Sequence, residues 1–198
     1  MILYPTFINT QMKVYCINLN ERPERWIEFQ TQKLPFEVKR FEAIKASPGW
    51  LGCAKSYIEV MKKIEGLTLV LEDDCLFLED WDLINKILLQ LPVTWDCLYF
   101  GATLNEPLER FSDNLFILKK GWTTHAILYR DRRIPDFILD NAEKVRKIDV
   151  FLANEVQSRF NCFITYPLVA TQRPGYSDII NNHTDYEVIK ERYDKYVI

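Results

Sequence analysis

A chain of 198 residues suits one domain, and its 25 basic and 28 acidic side chains leave a formal net charge of -3. No basic tail or block stands out, so the electrostatic footprint of a nucleic-acid binder is missing, and no apolar run is long enough to span a bilayer. The apolar share of 48% and charged share of 27% are ordinary for a globular chain with a sizeable core, while 14% aromatic residues is high and suits sugar-binding clefts as well as a core.

Residues 1–11 lack a basic region followed by an apolar run and do not read as a signal peptide. Residues 13–19 predict a first strand. Pro23 then stands where the first turn of a helix tolerates its missing N–H, and that helix would run to about residue 33. Residues 37–43 predict a second strand, and Ser47-Pro48-Gly49 marks a loop. A helix over 51–65 follows, with Leu51, Ala54, Ile58 and Met61 on one face and Gly66 just past its end.

The stretch 67–75 is the most informative. Thr68-Leu69-Val70-Leu71 suits a buried strand and stops in three consecutive carboxylates, Glu72-Asp73-Asp74. Like charges this close repel, so something positive compensates them. A divalent cation fits best, because hard cations take oxygen ligands and leave positions free for substrate phosphates. Ligands of open α/β sheets also sit beyond the carboxyl ends of strands. A solvated acidic turn is the plainer alternative. If the chain stays extended, side-chain alternation puts Glu72 and Asp74 on one side as the metal-facing pair. Asp73 then points the other way, toward a ribose or sugar hydroxyl, or into a local backbone hydrogen bond.

Asp80 is placed to cap a helix over 81–91, which Pro92 ends. Residues 96–101 predict another strand. Residues 115–119 and 124–129 predict two more, joined by a hairpin-like turn at Lys120-Gly121-Trp122. Residues 134–145 look helical, and a further helix starts at Asp149. Residues 163–166 predict a short strand, and Arg173-Pro174-Gly175 a turn. The charged stretch 185–196 is helical in period, with Tyr186, Ile189 and Tyr193 on one face. Early strand–helix alternation with a later hairpin predicts an α/β fold with a mixed sheet, in a single domain over 1–198.

Cys16, Cys53, Cys75, Cys97 and Cys162 are widely spaced, without a Cys-x-x-Cys pair, and read as reduced thiols of a cytoplasmic protein. Of the two histidines, His183 lies in a polar segment, Asn181 to Asp185, where an imidazole joining carboxylates would suit Mn²⁺; the alternative is an exposed loop residue. His125 lies within a strand and reads as a satisfied, partly buried histidine. Asp149 follows a basic segment, 144–147, and is either a helix N-cap or a base that takes a proton, and the two roles are compatible. Arg22 and Arg25 follow the first strand, where one could meet a phosphate or a base; Arg25 reads rather as a surface helix arginine.

Taken in order, these landmarks resemble glycosyltransferase family 25, which contains bacterial lipooligosaccharide galactosyltransferases and collagen galactosyltransferase domains. Ile17-Asn18-Leu19 with Arg22 and Arg25 is similar to its opening motif, Gly52-Cys53 with Ser56 to its helix start, and residues 69–74 to its acidic signature. Residues 124–129, Ile148-Asp149, Tyr166-Pro167-Leu168-Val169, Gln172 and Ser177-Asp178-Ile179 resemble its later motifs. The resemblance implies a GT-A type nucleotide-sugar-binding fold, with a mixed, mostly parallel sheet between helices. It implies inverting transfer of a hexose, galactose or glucose, from a UDP-sugar to a glycan or protein hydroxyl. By the same resemblance Asn18, Leu19, Arg22 and Asp73 bind the donor, Glu72, Asp74 and His183 hold Mn²⁺ or Mg²⁺, and Asp149 is the base. Two positions depart from the family pattern: Tyr57 stands where a histidine is usual, and Trp50 where a glutamate is usual. A metal-dependent phosphohydrolase and a non-catalytic sugar- or nucleotide-binding module are the rival readings.

Overall fold

The computed structural model describes residues 12–177, 179 and 182–197; the N-terminal stretch, Asp178 and Asn181 lie outside them. The chain opens with strand β1 (Lys13–Asn18), helix α1 (Pro23–Gln30), strand β2 (Lys39–Glu42), helix α2 (Gly49–Met61) and strand β3 (Thr68–Glu72). Strand β4 (Cys75–Phe77), helix α3 (Trp81–Leu88) and strands β5 (Cys97–Tyr99), β6 (Thr103–Leu104), β7 (Glu109–Arg110), β8 (Leu115–Ile117), β9 (Gly121–Trp122) and β10 (Ala126–Tyr129) come next. Helices α4 (Arg133–Asp140) and α5 (Ile148–Phe151), strands β11 (Cys162–Thr165), β12 (Ala170–Gln172), β13 (Gly175–Ser177) and β14 (Asn182–Thr184), and helix α6 (Glu187–Tyr196) complete it.

The main sheet is mixed, in the order β2-β1-β3-β10-β5-β11-β8-β7. Strands β1, β2, β3, β5, β7 and β11 run one way, and β8 and β10 run against them. Strand β3 is interior, parallel to β1 on one side and antiparallel to β10 on the other. Its alternation explains the two cores. Val70 packs with Tyr57 and Met61 of α2, Ile134 of α4, Ile148 of α5 and Ile189 of α6. Leu69 and Leu71 face the other way, toward Phe29 of α1 and Ile84 and Ile87 of α3. Burial on both faces is why this strand reads as a continuous apolar run.

Several predicted boundaries shift. The helix expected over 51–65 stops at Met61, because Lys63 and Ile64 donate to carbonyls only three residues back, a tighter turn that leaves the helix path. Among the described residues no glycine has a positive φ, so Gly66 is not a left-handed cap. Asp80 does cap α3, its Oδ1 accepting from the Leu83 N–H at 2.9 Å. The hairpin expected at Lys120-Gly121-Trp122 does not form. Strand β10 inserts between β3 and β5, whereas β8 pairs with β11 and β7. Gly121 and Trp122 instead pair with β6, and Gln157 bonds both the N–H and the carbonyl of Gly121 at 2.8 and 2.9 Å. Among the described residues no helix is long and apolar enough to cross a membrane.

Candidate functional site

The site forms where β3 stops. The strand ends at Glu72, and Asp73–Asp74 is a turn into β4, which pairs with β12 rather than continuing the main sheet. The alternation expected through Asp74 therefore fails. Asp73 does not point away from Asp74. Arg25 Nη2 stands 2.7 Å from Asp73 Oδ1 and 2.8 Å from Asp74 Oδ2. Arg25 is thus no surface arginine: the first turns of α1 carry it onto the acids, and part of the compensation those carboxylates need comes from within the chain.

Asn18, at the end of β1, is buried and holds Asp73 from the other side. Its Nδ2 donates to Asp73 Oδ2 at 2.6 Å and to the Arg22 carbonyl at 3.0 Å, while its Oδ1 accepts from Arg40 Nε at 2.8 Å. The Leu19 carbonyl accepts from Arg40 Nη2 and from the Arg22 N–H. Burial pushes the Asp73 carboxyl up to about 6, against the opposing pull of Arg25.

Glu72 is held differently. Its Oε1 stands 2.5 Å from Thr124 Oγ1 and 3.2 Å from the Tyr57 hydroxyl. Tyr57 has one proton, and it also contacts the Thr124 carbonyl, which can only accept. If Tyr57 donates there, Glu72 meets a lone pair unless it carries a proton itself. Burial, then the Asp74 charge, raises Glu72 to about 8, and among the described residues no cationic side chain pairs with it. The Tyr57 hydroxyl fixes this carboxyl; burial and Glu72 push its own ionisation well up.

Two oxygens here have no hydrogen-bond partner among the described residues: Asp74 Oδ1 and Gln172 Oε1. Gln172 reaches in from β12, its Nε2 donating to Asp74 Oδ2 at 3.2 Å. A cavity of about 350 Å³ is bounded by Arg25, Tyr57, Glu72, Asp74, Gln172 and Tyr186. Gly52 and Ser56 seat the loop that closes its other side. A Cβ on Gly52 would stand 2.5 Å from the Ile44 carbonyl, and Ser56 Oγ accepts from the Ile44 N–H at 2.8 Å. A second cavity, of about 300 Å³, shares Glu72, Gln172 and Tyr186 and adds Trp50, Thr124 and Asp149. The structure thus brings Glu72 and Asp149 to one space.

Asp149 is not a helix cap. Lys147 holds that position, and Asp149 lies in the first turn of α5, its Oδ1 accepting from the Val150 N–H at 2.8 Å. The helix continues as a π-helical turn over 152–156, which the 3.6-residue period could not announce.

His183 sits on the exposed β13–β14 hairpin, edge-on to Tyr176 at 5.6 Å. It lines a cavity of about 250 Å³ with Arg22, Arg25, Asp73 and Asp74, whereas Glu72 lines the other two. Among the described residues no three His, Cys, Asp or Glu side chains converge, so Glu72, Asp74 and His183 do not assemble as one ligand set. Oxygen donors of the kind a hard cation takes do line the first cavity. Glu72, the unpartnered Asp74 Oδ1 and the unpartnered Gln172 Oε1 are the donors for it. Gln172 was legible only as part of the closing motif; Arg25 had a signal, since three acids demand a cation.

His125 is fully rather than partly buried and only half satisfied: Nε2 stands 3.0 Å from the Ala170 carbonyl, Nδ1 has no partner among the described residues, and burial lowers its pKa. All five cysteines are free, and burial raises the thiols of Cys53 and Cys75 beside the site well above their ordinary range.

No family model and no curated protein matches the chain. Among solved structures it is similar to the crystal structure of A197 from STIV, at 9% sequence identity over 88% of this chain and 93% of that one, with a TM-score of 0.44. So remote a likeness carries no functional argument.

Proposed function

We propose that the chain is a GT-A type hexosyltransferase that moves galactose or glucose from a UDP-sugar to a glycan or protein hydroxyl, with inversion. The observation that carries this reading is the pair of joined cavities, one ending on Glu72, Asp74 and Gln172 and the other on Asp149. A Mn²⁺ or Mg²⁺ ion bound by Glu72, Asp74 and Gln172 would supply charge for a departing diphosphate. Asn18 and Arg25 hold Asp73 in place for a donor hydroxyl, and Leu19 and Arg22 flank the same edge. Asp149 takes the proton of the acceptor hydroxyl as its oxygen bonds the anomeric carbon. The bond from that carbon to the diphosphate breaks, and its electron pair leaves on the nucleotide.

A second reading has one observation in its favour. Arg25 already neutralises Asp73 and Asp74 from inside, so the cationic charge for the diphosphate could come from the chain. One experiment separates these readings and the rivals. The whole chain is assayed for UDP release from a panel of UDP-sugars, with Mn²⁺ and with EDTA. Release that needs Mn²⁺ supports the metal form, and release in EDTA that Arg25→Gln abolishes supports the second. Phosphate release from simple esters would point to a hydrolase. Nucleotide binding without turnover would leave a binding module.

A further inference from the structure

Beside the candidate site lies a larger cavity that the transfer chemistry leaves unused, with a volume of about 900 Å³. Its lining is partly aromatic: the Phe137 and Phe151 rings stand 6.1 Å apart, centre to centre. It is also basic. Lys144, Arg146, Lys147 and Arg159 line it, against one lining carboxylate, Glu155. That carboxylate already pairs with Arg159 at 3.0 Å, and Lys144 donates to Asn141 Oδ1 at 2.8 Å. Arg146 and Lys147 are exposed and have no ion pair among the described residues. Cations on flat ground are solvated and signify little. On a concave wall with apolar sides their fields add, and an anion there is held more firmly.

The position of this cavity gives it a meaning. Trp50 and Lys147 line both it and the smaller space that holds Asp149 and Glu72. A molecule seated on the basic wall therefore reaches the candidate base by passing Trp50. The indole is half-buried, and a flat aromatic face of this kind receives the C–H side of a sugar ring.

We infer that the large cavity is the acceptor subsite and takes an anionic saccharide, a sugar bearing a phosphate or a carboxylate. This assignment rests on the transferase reading. Arg146 and Lys147 bind the anion, Trp50 stacks on the ring, and the free hydroxyl is presented toward Asp149. The departure at position 50, an indole where a glutamate is usual, then has a physical sense: a carboxylate at this junction would repel an acidic acceptor.

Binding to the purified whole chain tests it, by calorimetry or saturation-transfer NMR. The probes are mannose 6-phosphate, glucuronic acid, mannose, inorganic phosphate and a short single-stranded oligodeoxynucleotide. At least one sugar acid should bind, and mannose should bind about tenfold more weakly or worse, the order of one charge-assisted hydrogen bond. The preferred sugar acid names the anion. Trp50→Ala and the pair Arg146→Glu with Lys147→Glu should each weaken that binding by about tenfold or more, and Trp50→Phe should restore most of the loss. If the charge-reversed pair does not fold, Arg146→Gln with Lys147→Gln should show the same loss at smaller size.

The inference is overturned if mannose binds as tightly as the sugar acids, or if the variants bind them unchanged. It is equally overturned if inorganic phosphate alone equals mannose 6-phosphate and glucuronic acid does not bind, or if the oligonucleotide outcompetes both acids. UDP binding to the same wild-type sample separates the two ideas. Sugar-acid binding without UDP binding supports the saccharide site and sinks the transferase reading. UDP binding without sugar-acid binding sinks this inference alone.

Discussion

Replacing Glu72 by glutamine removes a titrating group and leaves the side chain's shape. In the folded chain this carboxyl is raised from its ordinary 4.5 to about 8, chiefly by burial and then by the charge of Asp74. Below pH 4.5 both folded and unfolded chains hold the proton, and Glu72 contributes no pH dependence. As pH rises from 4.5 toward 8 the unfolded chain ionises first, so stability falls through that window and levels off above it. At about 1.4 kcal/mol per pH unit, a displacement of roughly 3.5 units amounts to near 5 kcal/mol if fully expressed. Glu72 is only half-buried and its cavity is large enough for water, so about half of that, roughly 2–3 kcal/mol, is a better expectation. For a chain of this size that is about 5–10 °C in Tm. The assay is thermal unfolding in EDTA at steps from pH 5 to 8.5. Wild type should lose about 3–6 °C more than Glu72→Gln across pH 6 to 8.5, the part of the window that this range covers, since the amide has no proton to lose and can still donate to Thr124 and Tyr57. Adding Mn²⁺ at pH 8 should then raise the wild-type Tm more than that of the variant. Parallel pH curves for the two proteins would show that Glu72 ionises normally in the fold, and the argument would fail.

Three further outcomes are expected. Asp149→Asn should melt with wild type, because the amide oxygen can still accept from the Val150 N–H, but transfer should slow by about 10²–10⁴-fold; near-normal turnover would send the search for a base elsewhere. His183→Ala should leave the Mn²⁺ concentration for half-maximal activity unchanged, since the imidazole lies on the hairpin side of the acids; a higher requirement would restore it as a ligand. Gly52→Ala should cost about 1–3 kcal/mol and, on the transferase reading, raise the donor KM, because its methyl meets the Ile44 carbonyl of the loop that closes the cavity at Glu72 and Asp74; an unchanged melt would show that α2 shifts freely there.

Most of the fold was legible because it is written in local periods. Strand β3 announced itself through an apolar run buried on both faces, and α6 through Ile189 and Tyr193, both buried as their spacing required. What failed was pairing. Residues 115–129 look like a hairpin because the turn residues are close in sequence. Strand β8 instead turns back on β7 just before it and pairs on its other side with distant β11, while β10 goes to distant β3 and to β5, and no local pattern encodes that choice. The short strands β4 and β12 were missed for the same reason: each has only three residues, and their ladder joins Cys75 to Gln172.

The site followed the same division, and the part that was hidden changes its chemistry. The three acids were visible because they are contiguous, and the demand for positive charge followed from Coulomb's law. What supplies that charge depends on contacts across the chain: Arg25 reaches Asp73 and Asp74 from α1, and Gln172 reaches Asp74 from β12. Three carboxylates, with Arg25 paired to two of them and Arg22 acting on Asp73 from further off, leave the cluster an excess of negative charge when all are ionised. The free chain can relieve part of this by keeping a proton on Glu72, which burial and the neighbouring Asp74 charge favour against the pull of the Thr124 and Tyr57 hydroxyls. A bound nucleotide diphosphate would add negative charge to the same cavity, and one proton could not balance it. The proton on Glu72 is then the group a divalent cation should displace, so metal binding should release it and tighten as pH rises toward 8. A metal affinity that did not change with pH between 6 and 8 would separate Glu72 from the cation and favour Arg25 as the site's working charge.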